Sequence, residues 1–343
     1  MPVVRAQIPE MKYIDTLNEA WQQHLLPREP NAPTVISTFA GAGGSSLGYS
    51  MAGYRELLAV EWDNNAVETF KLNFPGVPVY HGDIAKLSVD ECMKLSGLTG
   101  PRQLDVLDGS PPCQGFSTAG KRIMDDPRNQ LFREYVRLLR GLQPKVFVME
   151  NVSGMVKGKM KIIFVEILRE LKASGYNVKA QLLNAMYFNV PQSRERMIFI
   201  GVRNDLGIVP TFPKAQTRPI TVREALSGLK QTDSDLAPAK LKETWQMYRV
   251  LKGQEPPRHF GLVVTDWNKA SNTIVKDAGN TATGIIHPDK QRRFTIPEIK
   301  RIASFPDGFC MTGDYKTQWM RIGNSVPPLF MRAIARHIRQ TIL

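Results

Sequence analysis

Between Thr34 and Arg203 the chain alternates short apolar runs with longer amphipathic stretches. The runs at 34–39 (TVISTF), 57–62 (LLAVEW), 77–81, 104–108 (LDVLD), 146–149 (VFVM), 178–183 and 197–202 (MIFIGV) predict strands. Helical periodicity is expected near 45–52, 64–73, 130–141 and 160–174. In the last of these, Ile163, Val165, Ile167, Leu168 and Leu171 make a broad apolar face, widened by Phe164. Strands that alternate with helices argue for an α/β fold, a mostly parallel sheet covered on both faces. Residues 204–290 break the pattern. They hold seven prolines and little periodicity, and they predict a loop-rich second module. Helical patterning returns at 296–304 and 327–342. Residues 1–33 predict an extension with one helix and then a Pro-rich linker. The chain therefore divides into 1–33, 34–203, 204–290 and 291–343, the last returning to the first large unit.

Composition narrows the function classes. The 343 residues are 42% hydrophobic and 22% charged, enough to bury a sizeable core, which excludes disorder and collagen-like structure. The net charge of +13 favours a polyanionic partner, of which nucleic acid is the commonest. The basic excess is densest after residue 290, where Arg332, Arg336 and Arg339 follow at helical spacing; they predict a solvated helix face, with a phosphate-contacting stripe as the second reading. Three cysteines without a C-x-x-C pair argue against a disulfide framework and a zinc cluster, and no metal is expected. No run of 18 apolar residues suggests a membrane span.

Five motifs carry candidate chemistry. Phe39-Ala40-Gly41-Ala42-Gly43-Gly44 follows the first strand, where glycines let the backbone approach a ligand at a helix start. It is not the dinucleotide fingerprint, because Ser46 stands at the third glycine position. Glu61 ends the second strand and can accept from ribose hydroxyls; Trp62 can stack on an adenine; Asp83, before Ile84, can accept from its amine. Together these groups fit an adenosine-containing cofactor. After the fourth strand comes Asp108-Gly109-Ser110-Pro111-Pro112-Cys113-Gln114-Gly115-Phe116-Ser117. Paired prolines stiffen the chain just before Cys113, a candidate nucleophile at the ligand edge of the sheet. Cys92 and Cys310 read as small buried hydrophobes. Glu150, in Glu150-Asn151-Val152, emerges at the same edge, where a partly desolvated carboxyl can donate a proton. Arg194 and Arg196 lie on one face of an extended segment and suit a carbonyl oxygen or phosphates. Asn324 precedes the Pro-Pro punctuation of Gly323-Asn324-Ser325-Val326-Pro327-Pro328.

In this order the motifs closely resemble those of the DNA (cytosine-5)-methyltransferase family, of the bacterial restriction-modification type, over about residues 34–203 and 291–330. The resemblance implies a Rossmann-like S-adenosylmethionine-dependent methyltransferase fold with a small, loop-rich target recognition domain. It implies that Cys113 adds to C6 of a flipped-out cytosine, that Glu150 contacts N3 and the exocyclic amine, and that Arg196, supported by Arg194, meets O2. Phe39, Gly41, Gly43, Gly44, Glu61, Trp62, Asp83, Ile84, Pro112, Leu131 and Asn324 match positions lining S-adenosyl-L-methionine. The loop at about 114–130 is implied to close over the base. Residues 204–290 match the recognition module, with about 230–285 as its reading surface. Lys269, Asn272, Lys276 and Asn280 are candidate base contacts, and Thr273-Ile274 a candidate for the family's Thr-hydrophobic pair. The resemblance further implies double-stranded DNA as partner, a monomer without membrane attachment, pairing with a restriction endonuclease, and a cytoplasmic, nucleoid-associated location. One branch of the family methylates transfer RNA instead, but Gln114-Gly115-Phe116-Ser117 resembles the DNA branch. A non-catalytic DNA-binding protein is the remaining alternative, and intact candidate catalytic residues argue against it.

Overall fold

A computed structural model describes residues 12–112, 130–156, 160–230, 262–276, 284–288 and 292–343. Seven strands form one sheet: β1 (Thr34–Thr38), β2 (Arg55–Glu61), β3 (Val79–His81), β4 (Val106–Gly109), β5 (Val146–Val152), β6 (Tyr176–Asn184) and β7 (Glu195–Arg203). Their order is β3-β2-β1-β4-β5-β7-β6. The first five run parallel, and β7 is antiparallel to both its neighbours. The short connection 185–194 holds only a three-residue 3-10 turn, too little to carry a crossover, so β7 must return beside β6 in the opposite sense.

Alternate residues of each strand face opposite layers. Val35, Val106, Val146, Val148, Ile198 and Ile200 belong to one apolar cluster, and Ile36, Leu107, Phe147, Met149 and Phe199 to the other. Phe147 lies across from Gly201 in β7, which leaves room for its ring. The helices α1 (Tyr13–Leu25), α2 (Gly44–Met51), α3 (Asn64–Asn73), α4 (Val89–Ser96), α5 (Gln130–Leu142) and α6 (Met160–Ala173) cover the sheet. Sequence periodicity did not reveal α4, although Ser88 caps it by accepting from the Glu91 N–H at 3.1 Å and Gly97 ends it in the left-handed conformation.

Between β7 and the C-terminal helices, the described residues form the short α7 (Val222–Ala225) and a parallel pair, β8 (Leu262–Val264) and β9 (Gly284–Ile286). The chain then gives α8 (Ile296–Ile302), α9 (Tyr315–Asn324) and α10 (Pro328–Thr341). Helix α10 packs directly on α2. A Cβ added to Gly48 would lie 2.6 Å from both Met331 Cβ and the Pro328 carbonyl oxygen. Tyr13, Leu17 and Ala20 of α1 are buried in the same cluster as α10.

Two expectations need correction. Arg332 is not on a solvated face: it is buried and reaches Glu19 at 3.5 Å, while Arg336 and Arg339 are exposed. Its helix is covered on that side by α1, the helix expected in residues 1–33, whose packing partner no local pattern shows. Cys92 is buried as expected, but Cys310 is exposed, because it lies on the chain that crosses Asn73 rather than inside a helix. Among the described residues no helix is long and apolar enough to cross a membrane.

Candidate active site at the carboxyl edge of the sheet

β1 ends in a coil of left-handed residues: φ is +55° at Phe39, +55° at Gly41 and +93° at Gly43. A non-glycine residue there costs about 1–3 kcal/mol, and such strain persists only where surroundings enforce it. Glu61 is one of the enforcers. Its carboxylate is buried and accepts from the Gly41 N–H at 2.8 Å and from the Trp62 and Asp63 N–H groups at 2.9 Å. One side chain thus ties the end of β2 to the glycine loop.

Beside this loop lies a cavity of about 340 Å³ lined by Phe39, Val60, Glu61, Trp62, Gly82, Asp83, Ile84, Pro112 and Leu131. That size suits a small-molecule cofactor. The indole of Trp62 is 76% exposed at the wall, an unusual position for a large aromatic in a packed domain. Asp83 caps the turn after β3 by accepting from the Ala85 N–H at 3.0 Å. Seven of the expected cofactor residues are brought together here. Gly41, Gly43, Gly44 and Asn324 do not line the cavity. The glycines act through backbone: a Cβ on Gly43 would lie 2.5 Å from Phe74 Cε2, and one on Gly44 2.5 Å from the Val326 carbonyl oxygen. Asn324 is exposed at the end of α9, next to the Ser325–Val326 turn that abuts Gly44.

Along the same edge Glu150 meets Arg196, with Oε1 2.6 Å from Nε and both side chains nearly buried. The antiparallel register, which sets Val152 opposite Arg196, brings them within reach. Arg194 has a different part. Its buried guanidinium donates to the Ile274 carbonyl at 3.2 Å and the Gly323 carbonyl at 2.9 Å. Burial, then the charge of Arg196, lowers its pKa. The two arginines are neighbours, but only Arg196 pairs with Glu150. Cys113 and the loop after it lie outside the described residues. The approach to them is fixed by Asn151, whose amide donates to the Pro111 carbonyl at 3.2 Å.

Some contributors carried no readable signal. Asp63 pairs with Arg321 of α9 at 2.5 Å, and Asn65 accepts from the same arginine at 3.0 Å, so the segment after Trp62 is held by a helix far along the chain. Thr273-Ile274 is bound to framework: Thr273 Oγ1 donates to the Ser193 carbonyl at 2.7 Å, and the Ile274 N–H donates to Gln192 Oε1 at 3.1 Å. Lys269 faces Asp266 at 3.5 Å, Asn272 and Lys276 are exposed, and Asn280 lies outside the described residues.

The family model for the C-5 cytosine-specific DNA methylase matches residues 33–340. The chain belongs to that family. It is 35% identical to the Type II methyltransferase M1.HphI of Haemophilus parahaemolyticus, over 89% of this chain and 86% of that one. It is 32% identical to M.XorII of Xanthomonas oryzae, over 90% and 85%. A crystal structure assigned to a DNA modification methyltransferase of an Escherichia coli prophage superimposes with a TM-score of 0.71 at 27% identity, covering 90% of this chain and 99% of the other. The protein is thus a DNA cytosine-5 methyltransferase, and its sheet is the Rossmann-like sheet of S-adenosylmethionine-dependent methyltransferases.

Proposed function

We propose that this methyltransferase binds S-adenosyl-L-methionine in the cavity between Phe39, Trp62 and Leu131, and that Cys113 attacks a cytosine held by Glu150 and Arg196. The observation that carries the reading is the nearly buried Glu150–Arg196 pair at the same sheet edge as the cavity. The lining fits the methyl donor: Trp62 offers a stacking face, Asp83 and Glu61 keep acceptor lone pairs, and the remaining walls are apolar. A Cβ on Gly41 would meet nothing within 4 Å, so its backbone stands open to a ligand.

The chemistry follows from what each group can do. C5 of cytosine is a poor nucleophile. The Cys113 thiolate adds to C6, with Glu150 hydrogen-bonding or protonating N3 and Arg196 placing fixed positive charge at O2. A bond forms between sulfur and C6, and the ring electrons shift toward C5. S-adenosylmethionine, when bound, supplies an electrophilic sulfonium methyl group. Loss of the C5 proton to solvent then expels Cys113 as thiolate and restores the aromatic ring. These atoms are inaccessible inside a stacked duplex, so the base must leave the helix. Asn151 and Arg194 hold the scaffold around this event. The reading further takes the enzyme as a cytoplasmic, nucleoid-associated monomer on duplex DNA, serving beside a restriction endonuclease. It rests for this on its Type II relatives.

The test uses duplex DNA carrying 5-fluorocytosine, which blocks the final proton loss. The wild-type chain should form a covalent adduct whose peptide map ends on Cys113, and Cys113→Ser should give neither adduct nor methyl transfer. An adduct on another residue, or full activity in Cys113→Ser, overturns the mechanism.

A further inference from the structure

The family model begins at residue 33, yet α1, before it, is built into the back of the cofactor loop. The centre of that contact is His24. Its Nε2 is 3.2 Å from the Asn73 carbonyl, which can only accept, so Nε2 carries the proton. Its Nδ1 then accepts from the Ser50 hydroxyl at 2.7 Å, and Ser50 Oγ in turn accepts from Arg28 at 2.6 Å. One imidazole thus joins the last turn of α2 to the end of α3, the two helices that flank the glycine loop.

The ring also packs. Trp21 stacks on one side at 4.8 Å between centroids, and Phe74 meets it edge-on at 5.3 Å. Phe74 stacks on Phe70 at 4.4 Å and lies hard against Gly43, where no Cβ would fit. Gly43 donates to the Ala40 carbonyl at 2.9 Å, inside the loop that carries Phe39 and Gly41. A continuous set of contacts runs from α1 to the wall of the cavity.

We propose that His24 is a positioning residue for the cofactor pocket: from a helix outside the family domain, it braces Phe74 against the glycine loop and so sets affinity for S-adenosylmethionine. The inference rests on the reading of that cavity as the cofactor site. His24 touches no reacting atom. Its effect is therefore confined to one substrate, because Phe74 backs the cofactor loop and not the Glu150–Arg196 pair.

The experiment uses the full chain and varies each substrate at saturation of the other, alongside calorimetric binding of S-adenosylmethionine. His24→Ala should raise the cofactor KM and Kd by about fivefold or more, the lower range of coupling between packed sites, with the DNA KM within about twofold. His24→Gln, which keeps a hydrogen-bonding head without a ring, should show the same selective loss and guards against a poorly folding alanine variant. In the double variant with Phe74→Leu, the effects should not multiply, because the two side chains act in series. A cofactor KM unchanged in both His24 variants, or cofactor and DNA KM rising together, overturns the proposal. Trp62→Ala is the control for the cavity itself: if it leaves cofactor binding intact, the cofactor reading falls and this inference falls with it.

Discussion

Asp108 and Glu56 show how much a single buried carboxyl can weigh. Asp108 lies near the end of the strand that leads to Pro111 and Pro112, and Tyr49 donates to its Oδ1 at 3.3 Å. Both oxygens of Glu56 are buried against Ser37 and Ser46. Burial raises Asp108 to about 7 and Glu56 to about 8; the charge of Glu150 raises Asp108 further, and that of Asp108 raises Glu56. A carboxyl raised in the folded state binds its proton more tightly there than in the unfolded chain, so stability falls as pH rises from the ordinary carboxylate range to the raised value. His24 acts in the opposite sense. Burial and Arg28 lower it to about 4, and its contribution is complete above its ordinary value near 6.5. Between pH 6.5 and 8 the carboxyls therefore govern the slope. The melting temperature should decline across that window, and Asp108→Asn with Glu56→Gln should flatten the decline. An unchanged slope in the double variant refutes the assignment. The arginines teach the same lesson at this scale: Arg194 and Arg196 match one motif, but the first is clamped by the Ile274 and Gly323 carbonyls while the second pairs with Glu150.

Among the elements, α2 bears the tightest constraint. Gly43 and Gly44 begin it against Phe74 and Val326, and Gly48 lets α10 approach in the middle. The sequence reading took the first two as ligand-facing glycines. The structure packs both against neighbouring segments, while Phe39 and Glu61 nearby line the cavity. Replacing Gly48 by Val puts branched carbon into Met331 and the Pro328 carbonyl. Overpacking of this kind costs about 1–3 kcal/mol, so the variant should unfold several degrees earlier in a thermal melt. A melt equal to wild type would mean that α10 yields freely. The strands and helices around the motifs were legible because a two-sided sheet imposes simple periods. Helix α4 escaped notice because its apolar face is short, despite a serine cap and a terminal glycine.

For the whole molecule, the site exists only because distant segments converge. Asp63 and Asn65 are held by Arg321, the Gln192–Arg194 stretch by Ile274 and Gly323, and the glycine loop by the Ser325–Val326 turn and, through Phe74, by α1. A module whose middle departs from the catalytic fold thus returns to finish it. The net charge of +13 belongs to this scale as well. If it draws the duplex through phosphate contacts, the logarithm of the DNA binding constant should fall linearly with the logarithm of salt, by about 0.9 per phosphate neutralised. Affinity that holds constant between low and physiological salt would contradict electrostatic docking.

Local order along the chain was enough to determine the alternation of strands and helices, the residue types at each strand end, and hence the family to which the chain belongs. Those features are short in sequence because loops at one sheet edge carry them. Tertiary structure alone decided what Gly43 and Gly44 pack against, which arginine faces the carboxylate, that α1 belongs to the core, and that burial raises two carboxyls above their ordinary range. Each of these depends on what lies opposite a side chain in space, and neighbours separated by tens or hundreds of residues leave no period for a sequence to show.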